Sequence, residues 1–243
     1  MSKDNFSKQA NIYAKYRPQY PAELFEFIFS RVNTFDCAID MATGNGQAAI
    51  ILAKKFNTIL ANDLSQKQID SAVSTNNIEY SVQKAENTTY PNHCADLITV
   101  AQALHWFDFT KFFTEVTRLL KPQGTFVAWC YGLNSVNKEV DEITKDFYTN
   151  IVGPFWDAER KHIENNYRSI PFPWKMEEKQ FFYNVNWTLE EYLGYLSSWS
   201  SVQHYKNKMG SDPILDIEKK LKIVWINKAL KVTFPIHLNL VCL

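Results

Sequence analysis

The apolar run Asp36–Met41 breaks directly into Asp40-Met41-Ala42-Thr43-Gly44-Asn45-Gly46-Gln47, and this junction constrains the fold more than any other stretch. A short apolar run bounded by glycines reads as a buried strand. Two closely spaced glycines then let the backbone turn sharply and approach a ligand. Beyond them Ile50, Ile51, Leu52 and Ala53 give Gln47–Phe56 a helical apolar face. The unit recurs. Strands are predicted at Thr58–Asn62, Ile78–Val82, Ala95–Ala101 and Thr125–Cys130. Helices are predicted at Pro21–Arg31, Gln66–Ser74 behind the Ser65 cap, and Phe109–Leu120, which Lys121-Pro122-Gln123-Gly124 stops. Strands alternating with helices across short connections imply an α/β fold, with a doubly wound, mostly parallel sheet covered on both faces.

The second half loses this rhythm. Lys138–Asn150 and Asp157–Tyr167 read as helices around Gly153-Pro154, followed by the extended loop Ile170-Pro171-Phe172-Pro173-Trp174. Phe181–Trp187 alternates as a strand, Leu189–Ser200 and Ile214–Leu230 read as helices, and Val232–Val241 is a seventh strand. One domain, 1–243, is expected. Its core spans about 21–135 and 178–243, with an inserted helical cap at about 136–177 and an N-terminal lid segment, 1–20. A cap inserted there overlies the carboxyl ends of the strands, where open α/β sheets bind ligands.

Composition narrows the function classes. Lys plus Arg equals Asp plus Glu at 26 each, so no global field attracts nucleic acid, which weighs against a nucleic-acid substrate without excluding one held by a local basic patch. Seven lysines against three acids after Val202 read as a solvated helix face. Cys37, Cys94, Cys130 and Cys242 form no CxxC pair, which argues against a metal site or a disulfide framework. No apolar run approaches the roughly 18 residues of a membrane span, so a cytoplasmic protein with no membrane partner is expected; the oligomeric state stays open. Aromatic residues reach 15%, enough to wall a ligand pocket.

Gly44-Asn45-Gly46-Gln47-Ala48-Ala49 satisfies G-x-G-x-x-G/A, and Asp63 lies nineteen residues after Gly44, in reach of ribose hydroxyls. Taken alone, the pattern fits NAD as well as another adenosine cofactor. Asp40 separates the two, because a carboxylate there repels a pyrophosphate and attracts an ammonium group. Ala85-Glu86, after the third strand, offers an acceptor for an adenine amino group, and no hydride-transfer constellation follows.

These residues resemble the class I S-adenosylmethionine-dependent methyltransferases. Asp40-x-Ala42-x-Gly44-x-Gly46 is similar to the family's first motif, Asp63 to its acidic motif, and Ala85-Glu86 to its adenine-side motif. Asp96 to Phe107 is similar to the strand-4 motif, and Leu119-Leu120-Lys121-Pro122-Gln123-Gly124 to the turn before strand 5. Tyr13-Ala-Lys-Tyr16-Arg17-Pro18, Ala101 to Asp108 and Val152 to Trp156 resemble the trans-aconitate methyltransferase-like branch. The resemblance implies a seven-stranded Rossmann-like sheet and S-adenosylmethionine as cofactor, becoming S-adenosylhomocysteine, with no metal. It assigns cofactor contacts to Asp40, Ala42, Gly44, Gly46, Gln47, Asp63, Leu64, Ala85, Glu86, Ala101 and Gln102. Ala42 departs from the family's first glycine and is tolerated if its φ stays negative.

The implied activity is methyl transfer to a small molecule, with a carboxylic acid as one acceptor type. Two other readings stay open: a protein or RNA methyltransferase, and an NAD-linked or non-catalytic adenosine-cofactor module. His105, just past strand 4, is a candidate general base because an ordinary imidazole titrates near neutrality. Arg17 beside Tyr16 is the candidate carboxylate partner. Trp106, Trp156 and Trp199 are candidate substrate walls, with Trp174 a further pocket wall.

Overall fold

The computed structural model describes residues 16–226 and 228–243, so Tyr13 and most of the expected lid segment lie outside the described residues. The strands are β1 (Cys37–Met41), β2 (Thr58–Asp63), β3 (Ile78–Val82), β4 (Ala95–Ala101), β5 (Leu120–Tyr131), β6 (Glu177–Trp187) and β7 (Leu230–Cys242). Among the described residues they form one sheet in the order β3-β2-β1-β4-β5-β7-β6. Pairing is parallel from β3 through β5, whereas β7 runs antiparallel to both β5 and β6.

Alternation along the central strands explains the two-sided core. Ala38, Leu97, Val127 and Trp129 bury on one face against Leu24, Phe25 and Ile28 of α1 (Ala22–Phe29). Ile39, Ile98, Phe126 and Ala128 bury on the other against Phe112, Val116 and Leu119 of α4 (Phe109–Leu119). With no wet face, β4 reads as a continuous apolar run broken only by Asp96 and Thr99. The order reverses between β1 and β4, which places the turns after those two strands on either side of a crevice at the carboxyl end of the sheet.

Between these elements lie α2 (Ala49–Leu52) and α3 (Gln66–Asp70), the latter capped by Ser65 Oγ accepting from Gln68 N. Both are shorter than their apolar spacing predicts, because turn geometry closes in on either side. The insertion after β5 holds α5 (Lys138–Asp146), which continues as a π-type turn over Phe147–Ile151, and α6 (Arg160–Glu164). The predicted helix Asp157–Tyr167 therefore shrinks to one short stretch: Asn166 and Tyr167 take φ of 55° and 64°, a left-handed pair that ends it.

The segment between β6 and β7 differs more from expectation. α7 (Leu189–Ser197) stops at Ser198, and a separate helix, α8 (Ser200–Met209), precedes α9 (Ile214–Val224). α8 escapes sequence reading because Gln203, His204, Lys206, Asn207 and Lys208 leave it almost no apolar stripe. These helices pack on the earlier insertion. Tyr192 Oη lies 2.8 Å from Thr144 Oγ1 and accepts from Asn134 Nδ2, while Phe155 meets Tyr205 at 4.9 Å. The cap is thus built from two insertions.

Candidate functional site

The turn after β1 coils through three left-handed residues: Ala42 (φ 52°), Gly44 (58°) and Gly46 (83°). Ala42 therefore does not keep the negative φ that would make its methyl group cheap. A non-glycine residue in this region costs about 1 kcal/mol. Ala42→Gly should stabilise the chain by about that amount in denaturant unfolding, with the gain set against a more mobile unfolded chain.

Asp40 lies beneath this turn and is buried. Its Oδ2 accepts from Thr43 Oγ1 at 2.5 Å and its Oδ1 from Thr99 Oγ1 at 2.6 Å. Burial pushes its carboxyl up to about 6; the hydroxyl donors pull the other way and Asp63 adds repulsion. An acid with a raised folded value favours the fold most while protonated. Its contribution is complete below about pH 4 and is lost as pH rises through 6. A cation docking above the turn would offset that loss.

Asp63 ties the two neighbouring turns together, with Oδ2 accepting from Gly44 N at 2.9 Å and Oδ1 from Ser65 N at 2.8 Å. Leu64 beside it stays 42% exposed, an apolar surface bordering the crevice. Ala85 is buried under β3's exit. Glu86 Oε1 accepts from Asp108 N at 3.2 Å, at the start of α4. Gln47 is turned elsewhere: its Nε2 donates to Pro18 O at 3.1 Å and fastens the N-terminal segment to the glycine turn.

Across the crevice, Ala101 ends β4 and Gln102 takes φ 57°. Gln102 is pinned to β5, its N donating to Trp129 O and its Oε1 accepting from Tyr131 N, both at 2.8 Å. Strain held this firmly aims the next turn, Leu104–Trp106, into the mouth of the sheet.

There His105 is buried, with Nδ1 3.2 Å from the hydroxyl of Tyr167. Burial pushes the imidazole down to about 3, and Arg160 and His162 add to the shift. At neutral pH it is an uncharged ring and a weak base, unlike the near-neutral imidazole expected from sequence. A lowered folded value also makes stability fall as pH drops from about 6.5 toward 3, since only the unfolded chain takes up the proton.

Arg17, His105, Trp106, Tyr131, Trp156, Arg160 and Trp199 line one cleft. Tyr16 stands behind it with its ring against Gly194 of α7, where any β-carbon would collide. Arg17 donates from Nη1 to Tyr131 Oη at 2.5 Å, which joins the N-terminal segment to β5. Trp156 and Trp199 pack with ring centroids 5.6 Å apart, tilted by 44°, and Trp106 lies 4.7 Å from His105. Trp174 lies elsewhere, packed on Phe113 and Phe126 beneath the sheet.

Sequence reading missed Arg160, Tyr131, Tyr167 and Tyr195. Arg160 is the weightiest of these. Its guanidinium sits 4.5 Å from the Trp156 ring and donates to Tyr148 Oη at 3.0 Å, with no carboxylate in ion-pair distance among the described residues. Asp157 on the same wall, 3.8 Å from His204, offsets one positive charge. The available signal was Trp156-Asp157-x-x-Arg160, an aromatic and an arginine four residues apart on a tight turn into α6.

Residues 39–128, from β1 into β5, match the methyltransferase domain family. A Dictyostelium discoideum protein named as a methyltransferase is 33% identical over 247 residues, covering 98% of this chain and 94% of its own length. A solved structure described as a type II methyltransferase from Anaeromyxobacter dehalogenans is 34% identical. It covers 93% of this chain and 97% of the other, with a TM-score of 0.85. A Rickettsia prowazekii C-methyltransferase of ubiquinone and menaquinone biosynthesis is 29% identical over 137 residues, about half of each chain.

Proposed function

The chain belongs to the class I S-adenosylmethionine-dependent methyltransferases, and on that premise we propose that it O-methylates a small carboxylic acid held between Arg17 and Arg160. The observation that carries this reading is the pairing of two guanidiniums with an uncharged His105 in one aromatic cleft. A carboxylate is already ionised at neutral pH and needs no base. A hydroxyl or amine acceptor needs one, and an imidazole held near 3 serves poorly.

The crevice fits the cofactor, which when bound supplies a methyl group on a positively charged sulfur. The left-handed turn at Gly44 and Gly46 would leave backbone room for it, Asp63 would hold the ribose, and Leu64 and Ala85 would border the adenine. Glu86 already accepts from Asp108 N at the start of α4, so an adenine contact would compete with that bond. Asp40 would attract the ammonium end through the turn it underpins, and Ala101 and Gln102 would frame the opposite wall. Gln47 acts indirectly, by holding the segment that carries Arg17.

In the cleft, Arg17 and Arg160 orient the acceptor carboxylate by charge-assisted hydrogen bonds. Trp106, Trp156 and Trp199 exclude water, and His105 presents a neutral polar edge. Positioning supplies the rate, because the displacement needs alignment more than proton transfer. The test is a panel of carboxylic acids incubated with enzyme and methyl donor, read by mass spectrometry for base-labile methyl esters. Products that are instead methylated amines or carbons would overturn the carboxylate reading.

A second expectation concerns His105. His105→Gln should change kcat toward the preferred acid by less than about threefold at pH 7 and leave no rate limb between pH 6 and 8. A loss of about hundredfold, with a limb near neutrality, would restore the general-base role.

A further inference from the structure

We propose that the outer face of α9 docks this protein onto an anionic lipid surface, at the end of the sheet where the cleft opens. The inference does not depend on which acceptor is methylated.

α9 is an amphipathic helix with two apolar faces. The inner one is accounted for: Ile214, Ile217 and Leu221 are buried, and Trp225 just beyond meets Tyr192 of α7 at 5.1 Å. The outer one is not. Leu215, Ile223 and Ile226 are 58%, 78% and 83% exposed, among the most exposed large apolar side chains described. Leu215, Lys219, Lys222 and Ile223 fall at positions i, i+4, i+7 and i+8, one stripe along α9, and Ile226 follows two residues past the helix end. Scattered apolar residues on a surface are ordinary, but Leu215 and Ile223 on one helix stripe interleaved with lysines, and continued by an exposed Ile226, are not.

Charge identifies the partner. From Leu215 to Lys231 there are five lysines against two acids, in a chain that is neutral as a whole. Lys219, Lys220 and Lys222 pair with Asp216, Asp146 and Glu218, but their side chains remain 77%, 57% and 63% exposed. Pairs that wet are weak and leave the lysines able to turn toward phosphate. Apolar residues between long basic side chains match the headgroup boundary of a bilayer, where isoleucine enters the acyl region and lysine stems reach back to the surface.

Topology gives the docking a purpose. The chain leaves α9 and enters β7 at Leu230, opposite Trp187, while Tyr131 at the end of β5 pairs with Ile236. The outer stripe therefore flanks the carboxyl end of the sheet. α7, on which α9 packs, carries Tyr195 into the cleft wall. A surface held there would place the cleft beside acceptors that partition into lipid.

The test is co-sedimentation with phosphatidylcholine vesicles, with and without phosphatidylserine, at two salt concentrations. Binding is expected only to the phosphatidylserine vesicles and should weaken with salt. The double variant Ile223→Glu with Ile226→Glu should bind about tenfold or more weakly while keeping cofactor affinity by calorimetry, which shows that it is folded. Lys228→Glu with Lys231→Glu, which leaves the apolar stripe intact, should lose the salt-sensitive part. Two results would overturn the proposal: no binding to either vesicle, or equal binding by wild type and the double variant.

Discussion

Gly46→Ala should weaken cofactor binding by about hundredfold, the largest loss expected from a single methyl group in this chain. Two costs add. The left-handed φ of 83° charges a side chain about 1–2 kcal/mol. A β-carbon there also runs into the hydroxyl of Tyr80, which is itself held by donating to Val73 O at 2.9 Å. Displacing a tethered ring costs about another 1–3 kcal/mol, and the total corresponds to two decades of affinity. Gly44→Ala separates the costs. Its φ is similar at 58°, but its nearest neighbour, Gln68 Oε1, stands 3.9 Å away, so a loss of only about tenfold is expected. Calorimetric titration of S-adenosylmethionine reads both. Adding Tyr80→Phe to Gly46→Ala should recover about tenfold, since it removes the colliding oxygen and leaves the backbone cost. Equal losses for the two glycines would show that backbone conformation alone matters at this turn.

The same turn shows how much of the molecule was legible in advance. Sheet class, strand positions and the glycine turn follow from period and punctuation, which are local. β3 and β4 begin and end where alternation and apolar runs predict. What spacing does not show depends on contacts distant in sequence. Ala42 looked compatible with negative φ, yet its φ is set by the turn around it. His105 looked like an ordinary imidazole, but its environment comes from Tyr167, sixty-two residues away, and from Arg160. Gln47 stood in a cofactor motif, yet its amide is engaged by Pro18. α8 lacks a stripe because both insertions share its burial. Periodicity finds the frame; the cleft is assembled across it.

Arg160 tests whether that assembly has the chemistry assigned to it. Arg160→Gln should reduce kcat/KM for a carboxylate acceptor by about hundredfold while leaving cofactor affinity within about twofold, because one charge-assisted contact contributes about 1.5–3 kcal/mol. Arg160→Lys should recover little. A lysine keeps the charge but not the planar fork, and it gives up the guanidinium stacked 4.5 Å from Trp156. The substitution also removes a cation that holds His105 down, so the imidazole should titrate at higher pH in Arg160→Gln than in the native enzyme. Two independent readouts follow from one side chain: steady-state kinetics across acids, and the His105 titration followed by NMR. A structural role alone, through the Tyr148 hydroxyl, would move stability and the titration but would spare discrimination between an acid and its amide. If Arg160→Gln handles both equally well because the native enzyme already does, the acceptor is not anionic and Arg160 serves the fold. If only the native enzyme favours the acid, the guanidinium reads the acceptor's charge.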